Sequence, residues 1–332
     1  MLLQRIPIQA INPGAKIAIT ALLLLILFAS CAKMEEEQTS KKEVWTSFGS
    51  KDGLPSNQVY AVAVDLQNIL WFGTEYGVAS FDGSNWTNYT TASGLIYHSV
   101  HCIAIDSNNH KWFGTNLGVS EFDGNNWKSY TREDSLVNNM VRDIAVDGNN
   151  HIWFATPEGV SEFDGEHWTT YRKEGSQALV NNRVRSISVD SANNIWFGTE
   201  YGISTFNGES WNTFLSDNPL ADYIFCLFHD HQGDLWTGTL SGVSRFDGES
   251  WRDYTSGDGL VYNEIQCVTG DTAGNMWFGS IYGVSGFDGN TFVNYSDENG
   301  LASNFVTSVA LDRAGNIWFA TNGGGVSRLS LR

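Results

Sequence analysis

Proline is scarce in this chain, at five residues in 332, and basic side chains are outnumbered, with 19 lysines and arginines against 37 acids. So little proline leaves room for many hydrogen-bonded strands and excludes a proline-rich extended segment. A formal charge of −18 and a pI near 4.6 set the surface against phosphate backbones and anionic lipid, which excludes nucleic acid as a partner. Cysteine is rarer still, at four. Apart from Cys31, the cysteines are Cys102, Cys226 and Cys267, each four residues before a recurring aspartate (Asp106, Asp230, Asp271). Cysteines in one register of separate segments are badly placed to pair or to share a metal. They are expected to be small buried residues with free thiols, at a position filled elsewhere by Ala61, Asp143, Ser186 and Ser308. Long apolar runs are missing after residue 28, so nothing downstream is expected to span a bilayer.

The one apolar run lies at the start. Arg5 and Lys16 precede residues 17–28, and Ala29, Ser30 and Cys31 follow. A basic flank, an apolar core and small residues make a secretory signal. Residues 28–31, Phe-Ala-Ser-Cys, resemble a bacterial lipobox, with Phe28 where leucine is usual. The resemblance implies that residues 1–30 are removed, that Cys31 carries the lipid, and that this lipid is the only membrane attachment. Lys33-Met34-Glu35-Glu36-Glu37 resembles the acidic signals that send lipoproteins of the Bacteroidetes to the cell surface. Read as charge alone, residues 31–43 are a solvated acidic tether. The expected location is the cell envelope, as an outer-membrane lipoprotein facing the periplasm or the outside.

What the chain does hold is a repeat. Residues 106–127 return, lightly edited, throughout the sequence, and the tryptophan of the Trp-Phe-Gly-Thr core falls at 71, 112, 153, 196, 236, 277 and 318. A period of about 40–45 residues built from short strands is that of a β-propeller blade. The first blade reads as strand a at 59–64, a turn at 65–68, strand b at 69–74, strand c at 77–81 and, after Asp82-Gly83, strand d at 86–89. Seven a–b–c units follow one another, but the last stops at residue 329 without a strand d, while residues 45–48 offer an unpaired strand d at the other end. The expected fold is therefore all-β: a single seven-bladed propeller of four-stranded antiparallel blades over 44–332, closed by pairing 45–48 with the C-terminal blade. All 13 tryptophans are repeat-bound, seven in strand b and six in strand d (45, 86, 127, 168, 211 and 251), with Phe292 in the seventh place. They are expected between blades, and none is left as a ligand platform.

Gly-Leu-Pro-Ser-Asn-x-Val at 53–59, Asp-x-x-x-Asn-x-x-Trp-Phe-Gly-Thr at 65–74 and Gly-Val-x-x-Phe-Asp-Gly at 77–83 together resemble the two-component regulator propeller repeat. That resemblance covers nearly all of residues 43–332. It implies an extracytoplasmic sensor propeller of the kind that often senses polysaccharide fragments. The sequence holds one propeller and neither a following sandwich-like domain, a later membrane span nor a kinase module. The implied protein is a monomeric binding propeller cut loose from signalling machinery, with an oligosaccharide or a protein as ligand and no cofactor or metal.

Alternating strand direction sends the d–a and b–c connections to one face and the a–b and c–d turns to the other. The second set repeats Asp-x-x-Gly/Asn-Asn and Phe-Asp-Gly, which is turn chemistry and lacks the distal glutamate of a calcium loop. The first set varies, and it gathers every tyrosine outside the strand d pattern: Tyr76, Tyr201 and Tyr282 in b–c loops, Tyr97, Tyr223 and Tyr262 in d–a loops, and Tyr60 at the start of strand a. Rings with a polar tip suit sugars and protein partners, although the same rings can plug a channel. On the same rim Arg142, Arg183 and Arg185 stand beside Glu158 and Glu200, able to hold a carboxylate or sulfate or to pair internally. Asp222 and Glu264 are expected as acceptors on the opposite arc. A ring eight residues before each repeat aspartate reads Asn57, His98, Asn139, Asn182, Asp222, Asn263 and Asn304, a regularity that points to backbone capping. His98 breaks it and His101 follows; both join the candidate ligand-binding residues, while strand parity makes them a poor metal pair. His110, His151, His167, His229 and His231 read as structural.

No residues are assigned to catalysis. The Asn-x-Ile-Trp-Phe-x-Thr cores also resemble those of streptogramin lyases, propellers that use a histidine with acids and a divalent metal. In that alternative His98 or His101 would act with Glu75 or Glu264. A third alternative is a protein-interaction scaffold without a deep pocket.

Overall fold

In a computed structural model, residues 43–174, 178–215 and 221–331 are described. The expected signal peptide, Cys31 and nearly all of the tether lie outside the described residues. Residues Glu43–Leu331 make seven four-stranded antiparallel sheets. Blade 1 runs Val59–Val64, Leu70–Thr74, Gly77–Phe81 and Trp86–Tyr89, as strands a to d. The next six blades begin at Val100–Ile105, Asp143–Val146, Val184–Val189, Ile224–His229, Ile265–Gly270 and Val306–Leu311. No helix among the described residues is long and apolar enough to cross a membrane.

The repeat motif has a direct physical reading. Asp65 accepts the Gln67 and Ile69 N–H groups, which closes the a–b turn, and its second oxygen takes the Trp71 indole N–H at 3.1 Å. The same aspartate–indole bond forms in every blade but the sixth, where Trp277 Nε1 is buried without a partner among the described residues. Positive φ in this turn falls to Asn68, Asn109, Asn150 and Asn193 in blades 1–4, and to Gly233, Gly274 and Gly315 in blades 5–7. The asparagines also link blades: Asn109 accepts Leu66 N–H, Asn150 accepts Ser107 N–H and Asn68 accepts Arg313 N–H, each at 2.8 Å.

Aromatic rings fill the joints between blades. Trp71 lies 5.5 Å from Tyr89 and 5.9 Å from Phe113 of the next blade, and Trp153 packs likewise on Tyr171 and Phe197. Most strand b tryptophans are 5% exposed or less. Burying about 150–250 Å² each, they contribute roughly 4–6 kcal/mol apiece before the entropy of ordering them.

Ring closure follows the expected scheme with a longer strand. Glu43–Phe48 pairs antiparallel with Gly325–Leu331, from Glu43 opposite Leu331 to Phe48 opposite Val326. The strand thus starts at the last residue of the expected tether. Trp45 sits 5.5 Å from both Phe319 and Tyr295, and Phe48 stacks 5.7 Å from Trp318.

One irregularity positions the site. In six blades strand a bulges after its first residue: Val59 pairs with Thr74 and Ala61 with Gly73, leaving Tyr60 over. The extra residues of the other blades are His101, Arg185, Phe225, Gln266 and Thr307. In blade 3 Arg142 holds the corresponding place, just ahead of the strand that begins at Asp143. A bulge breaks the alternation of faces, so two consecutive side chains reach the axial channel.

Candidate functional site at the channel mouth

Two rings of side chains line the channel, one residue per blade in each. The outer ring is Tyr60, His101, Arg142, Arg185, Phe225, Gln266 and Thr307; the inner ring, one residue on, includes Ala61, Cys102, Asp143, Ser186, Cys226 and Ser308. A cavity of about 180 Å³ lies between them. Beside it, sharing His101, Arg142, Arg185, Phe225 and Gln266, is a second space of about 260 Å³ that also touches Asn116, Met140 and Val141. A separate pocket lies beside Ile203, Leu215 and Trp251 and shares no lining residue with these two cavities.

The inner ring corrects the expectation of a merely small, buried position. Its polar members join neighbouring blades: Asp143 accepts Ile187 N–H at 2.8 Å, Ser186 accepts Leu227 N–H at 3.1 Å, and Ser308 accepts Val62 N–H at 3.3 Å. The three cysteines are free, with Cys102 buried but Cys226 and Cys267 only half-buried. Burial pushes their thiols up, Cys267 to about 12. Burial also raises the Asp143 carboxyl to about 6, against hydrogen bonds from Ile187, Ser186 and Ile144 that favour its charged form.

Three arginines converge on one glutamate. Arg142 and Arg183 each approach Glu200 to 3.1 Å, on different oxygens, and Arg185 to 3.5 Å. Burial alone would raise the Glu200 carboxyl, but the bonds from Arg183 and Arg142 hold it below the ordinary range. Arg185 is fixed further: it donates to the Tyr223 hydroxyl at 2.9 Å and lies over the Tyr223 and Phe225 rings at 5.1 and 4.9 Å. Its Nε–H is buried without a partner among the described residues. Burial, then the proximity of Arg185, lowers the Arg142 guanidinium.

Glu158 stands apart from this group. Its carboxylate is 3.6 Å from Arg132, an exposed pair that contributes little. Asp222 is not on an opposite arc. It heads blade 5, immediately before the Tyr223 that holds Arg185, and its carbonyl accepts Gly202 N–H at 2.7 Å. Glu264, in blade 6, accepts from Gln266 at 2.9 Å.

The b–c and d–a loops carry the tyrosines. Tyr76, Tyr201 and Tyr282 are 56%, 63% and 57% exposed, so these three do not plug the channel. Tyr97 packs 4.2 Å from His98, Tyr76 lies 6.1 Å from the same imidazole, and Tyr262 meets Tyr282 edge-on at 4.7 Å. Tyr60 donates to Gln58 at 3.1 Å and packs 5.2 Å from His101. Leu117, Met140 and Phe305 are exposed in the same loops, and sequence reasoning passed over them. The signal was there: Leu117 occupies the place of Tyr76, two residues after the strand b threonine. Phe225, Gln266 and Thr307 of the outer ring were missed as well.

The asparagine ring caps loops as its regularity implied. Asn57, Asn139 and Asn263 accept the N–H groups of Ser50, Arg132 and Ser256 at 2.7 Å, and Asn304 that of Asp297 at 2.8 Å. His98 instead lies 2.8 Å from the Glu75 carbonyl oxygen, not from its carboxylate. His101 is lowered by burial and sits 3.4 Å from Ser99 Oγ. Among the described residues, the three-ligand group with room for a metal is Asp147, His151 and Glu162, at the a–b turn on the other face. There His151 and the Tyr171 hydroxyl each hydrogen-bond Glu162 at 2.7 Å, and His110, Tyr130 and Glu121 repeat the arrangement in blade 2. These are staples between strands.

Residues 135–158, 178–201 and 300–323 match the two component regulator propeller family model. Those three segments are similar to the repeat of that family. Each matched segment runs through a d–a loop, strands a and b and into the b–c loop, the parts that build the mouth. Among solved structures, the chain is similar to the extracellular domain of a putative hybrid two component system from B. thetaiotaomicron, at 22% identity and a TM-score of 0.76. That match covers 88% of this chain but 42% of the sensor domain, so the chain spans less than half of it. A catalytically inactive virginiamycin B lyase from Staphylococcus aureus with quinupristin matches at 15% identity and a TM-score of 0.71, over 88% of this chain and all of the lyase. PorZ, a surface component of the type-IX secretion system of Porphyromonas gingivalis, matches at 16% and 0.67, over 85% of this chain and 47% of PorZ. Likeness at these identities shows the fold. No curated protein matches the chain in sequence.

Proposed function

We propose that this chain is a non-catalytic, sensor-like binding propeller of the cell envelope, tethered through a lipid on Cys31, that takes an oligosaccharide on its d–a/b–c face. The observation that carries the reading is a cavity lined by His101, Arg142, Arg185 and Gln266 at the channel mouth, on the face whose b–c loops carry three tyrosine rings more than half exposed. Flat rings with a hydroxyl tip stack on sugar faces and bond their hydroxyls, and convergent polar groups in a concavity are what a small-ligand site needs. The expected ligand class comes from the sensor resemblance; the secretory signal, and the extracellular placement of the sensor domain above, support the location.

The test is a glycan panel screened against the full chain, followed by calorimetry on the best binder. Joint replacement of Tyr76, Tyr201 and Tyr282 by alanine is expected to weaken that binder at least tenfold with the melting temperature unchanged. Undiminished affinity in the triple variant would move the site elsewhere. A protein-interaction scaffold is the second reading, favoured by the exposure of Leu117, Met140 and Phe305 on the same face. It predicts no glycan binder in the panel. The lyase alternative finds no support in His98, whose ring nitrogen is engaged by the Glu75 carbonyl.

A further inference from the structure

Charge at the channel mouth runs against the charge of the molecule. In a chain of −18, Arg142, Arg183 and Arg185 share a single carboxylate, Glu200, so the cluster holds three cations to one anion. Glu200 has no oxygen to spare: one faces Arg142 and Arg185 and the other Arg183. Each guanidinium keeps donors beyond that contact, since one offers five N–H groups. The Arg185 Nε–H is buried and unpartnered among the described residues, and the ring faces of Tyr223 and Phe225 lock its plane. Arg142 and Arg185 both line the space of about 260 Å³ at the mouth, with side chains 23% and 27% exposed. Fixed, partly dehydrated guanidiniums with spare donors are what a carboxylate or a sulfate ester requires.

Apart from Phe225, the rest of the outer ring is neutral and polar. Gln266, Thr307, His101 and Tyr60 present an amide, two hydroxyls and an imidazole kept largely uncharged by burial. Such groups both give and take hydrogen bonds, as sugar hydroxyls do. Neither cavity reaches the roughly 300–1,000 Å³ that encloses a drug-sized ligand, so the mouth suits one terminal unit of a chain, the remainder lying over the exposed tyrosines. We infer that the channel mouth is a subsite for an acidic sugar residue, a uronate or a sulfated unit, whose anionic group is held by Arg142 and Arg185, with Arg183 on the far oxygen of Glu200 adding positive charge beside it. The inference rests on the oligosaccharide reading above and narrows it to acidic glycans.

The experiment is titration calorimetry of the full chain with a uronic acid oligosaccharide, its methyl ester, a sulfated oligosaccharide and an acidic peptide. The uronate or the sulfated sugar is expected to bind at least tenfold more tightly than the ester, with affinity falling as salt rises. R142Q and R185Q are expected to remove that preference, so that acid and ester bind alike. Arg183 is 63% exposed and R183Q carries little folding risk; it is expected to weaken the acidic sugar several-fold at an unchanged melting temperature. Equal binding of acid and ester, or a wild-type preference in R183Q and R142Q, overturns the acidic subsite while the oligosaccharide reading stands. Binding of the peptide with no glycan bound overturns both.

Discussion

At the scale of single residues, two buried charges have opposite consequences for stability. Lys111 is 6% exposed at its side chain and meets Asp65 at 3.2 Å, gives a hydrogen bond to the Asn109 carbonyl at 2.8 Å and lies 5.3 Å from the Trp71 ring. Removing Asp65 strands that ammonium and leaves the turn N–H groups of Gln67 and Ile69 without their acceptor. Asp65→Ala is expected to cost about 3–5 kcal/mol in urea unfolding, the range for breaking a buried pair from one side. A loss below about 1 kcal/mol would contradict the packing described. Burial alone would raise the Asp65 carboxyl, but its hydrogen bonds from Ile69, Trp71 and Lys111 hold it below its ordinary value. Its contribution is therefore present at neutral pH and lost in acid, as pH falls through that lowered value.

Asp143 works the other way. Its carboxyl rises from 3.8 to about 6 on folding, so ionising it costs stability as pH climbs between those values, and the cost stays constant above them. The shift corresponds to at most about 3 kcal/mol, an upper bound because the residue is only half-buried. Asp143→Asn is expected to gain on the wild type between pH 4 and about pH 6 and to level off above, read as the difference in unfolding free energy at each pH. A difference that stays flat across that range would mean that Asp143 titrates normally. The Asn side chain can still accept from Ser186 and Ile187, so the slope and not the offset is the diagnostic quantity.

Single elements show how local rules become a ring. A four-stranded blade is too small to stand alone, because its buried tryptophan needs the face of the next blade. Trp71 rests on Phe113, Trp112 on Phe154 and Trp318 on Phe72, the last contact joining blade 7 to blade 1. The strand Glu43–Phe48 completes blade 7, and without it Gly325–Leu331 would present a bare edge. Deleting residues 43–50 is expected to abolish cooperative unfolding or lower the melting temperature by more than 10 °C. The milder Trp45→Ala should cost about 3 kcal/mol, the lower end for emptying a large aromatic site. An unchanged melting temperature after the deletion would show that the ring does not need its clasp.

Over the whole molecule, the two faces differ because their turns differ. The a–b and c–d turns repeat one solution, an aspartate or asparagine that closes its own turn, and Asp123, held to about 2 by the N–H groups of Asn126 and Asn125, is one case. Such a face offers the same groups seven times over and little to distinguish a ligand. The other face is pinned at its base by equally regular devices, the strand b threonine bonded to a b–c glycine carbonyl and the capping asparagines. Above those pins its residues vary freely, so the acidic exterior can surround a cationic centre and an aromatic rim on this side alone.

The amino-acid sequence by itself determined the number of blades, the strand order, the placement of all 13 tryptophans and the closure of the ring. Those follow from local periodicity, and each copy of the repeat restates the same instruction. It also pointed to the loops that carry tyrosine and arginine. Only the tertiary structure decided which side chains meet. The outer ring depends on a bulge that shifts parity by one residue, so counting alternate positions along strand a does not find Phe225, Gln266 or Thr307. The three-to-one grouping of Arg142, Arg183 and Arg185 on Glu200 spans two blades and 58 residues of chain, and it left Glu158 with Arg132. Pairing of that kind is set by how adjacent blades rotate about the channel axis, a packing property that no single repeat contains.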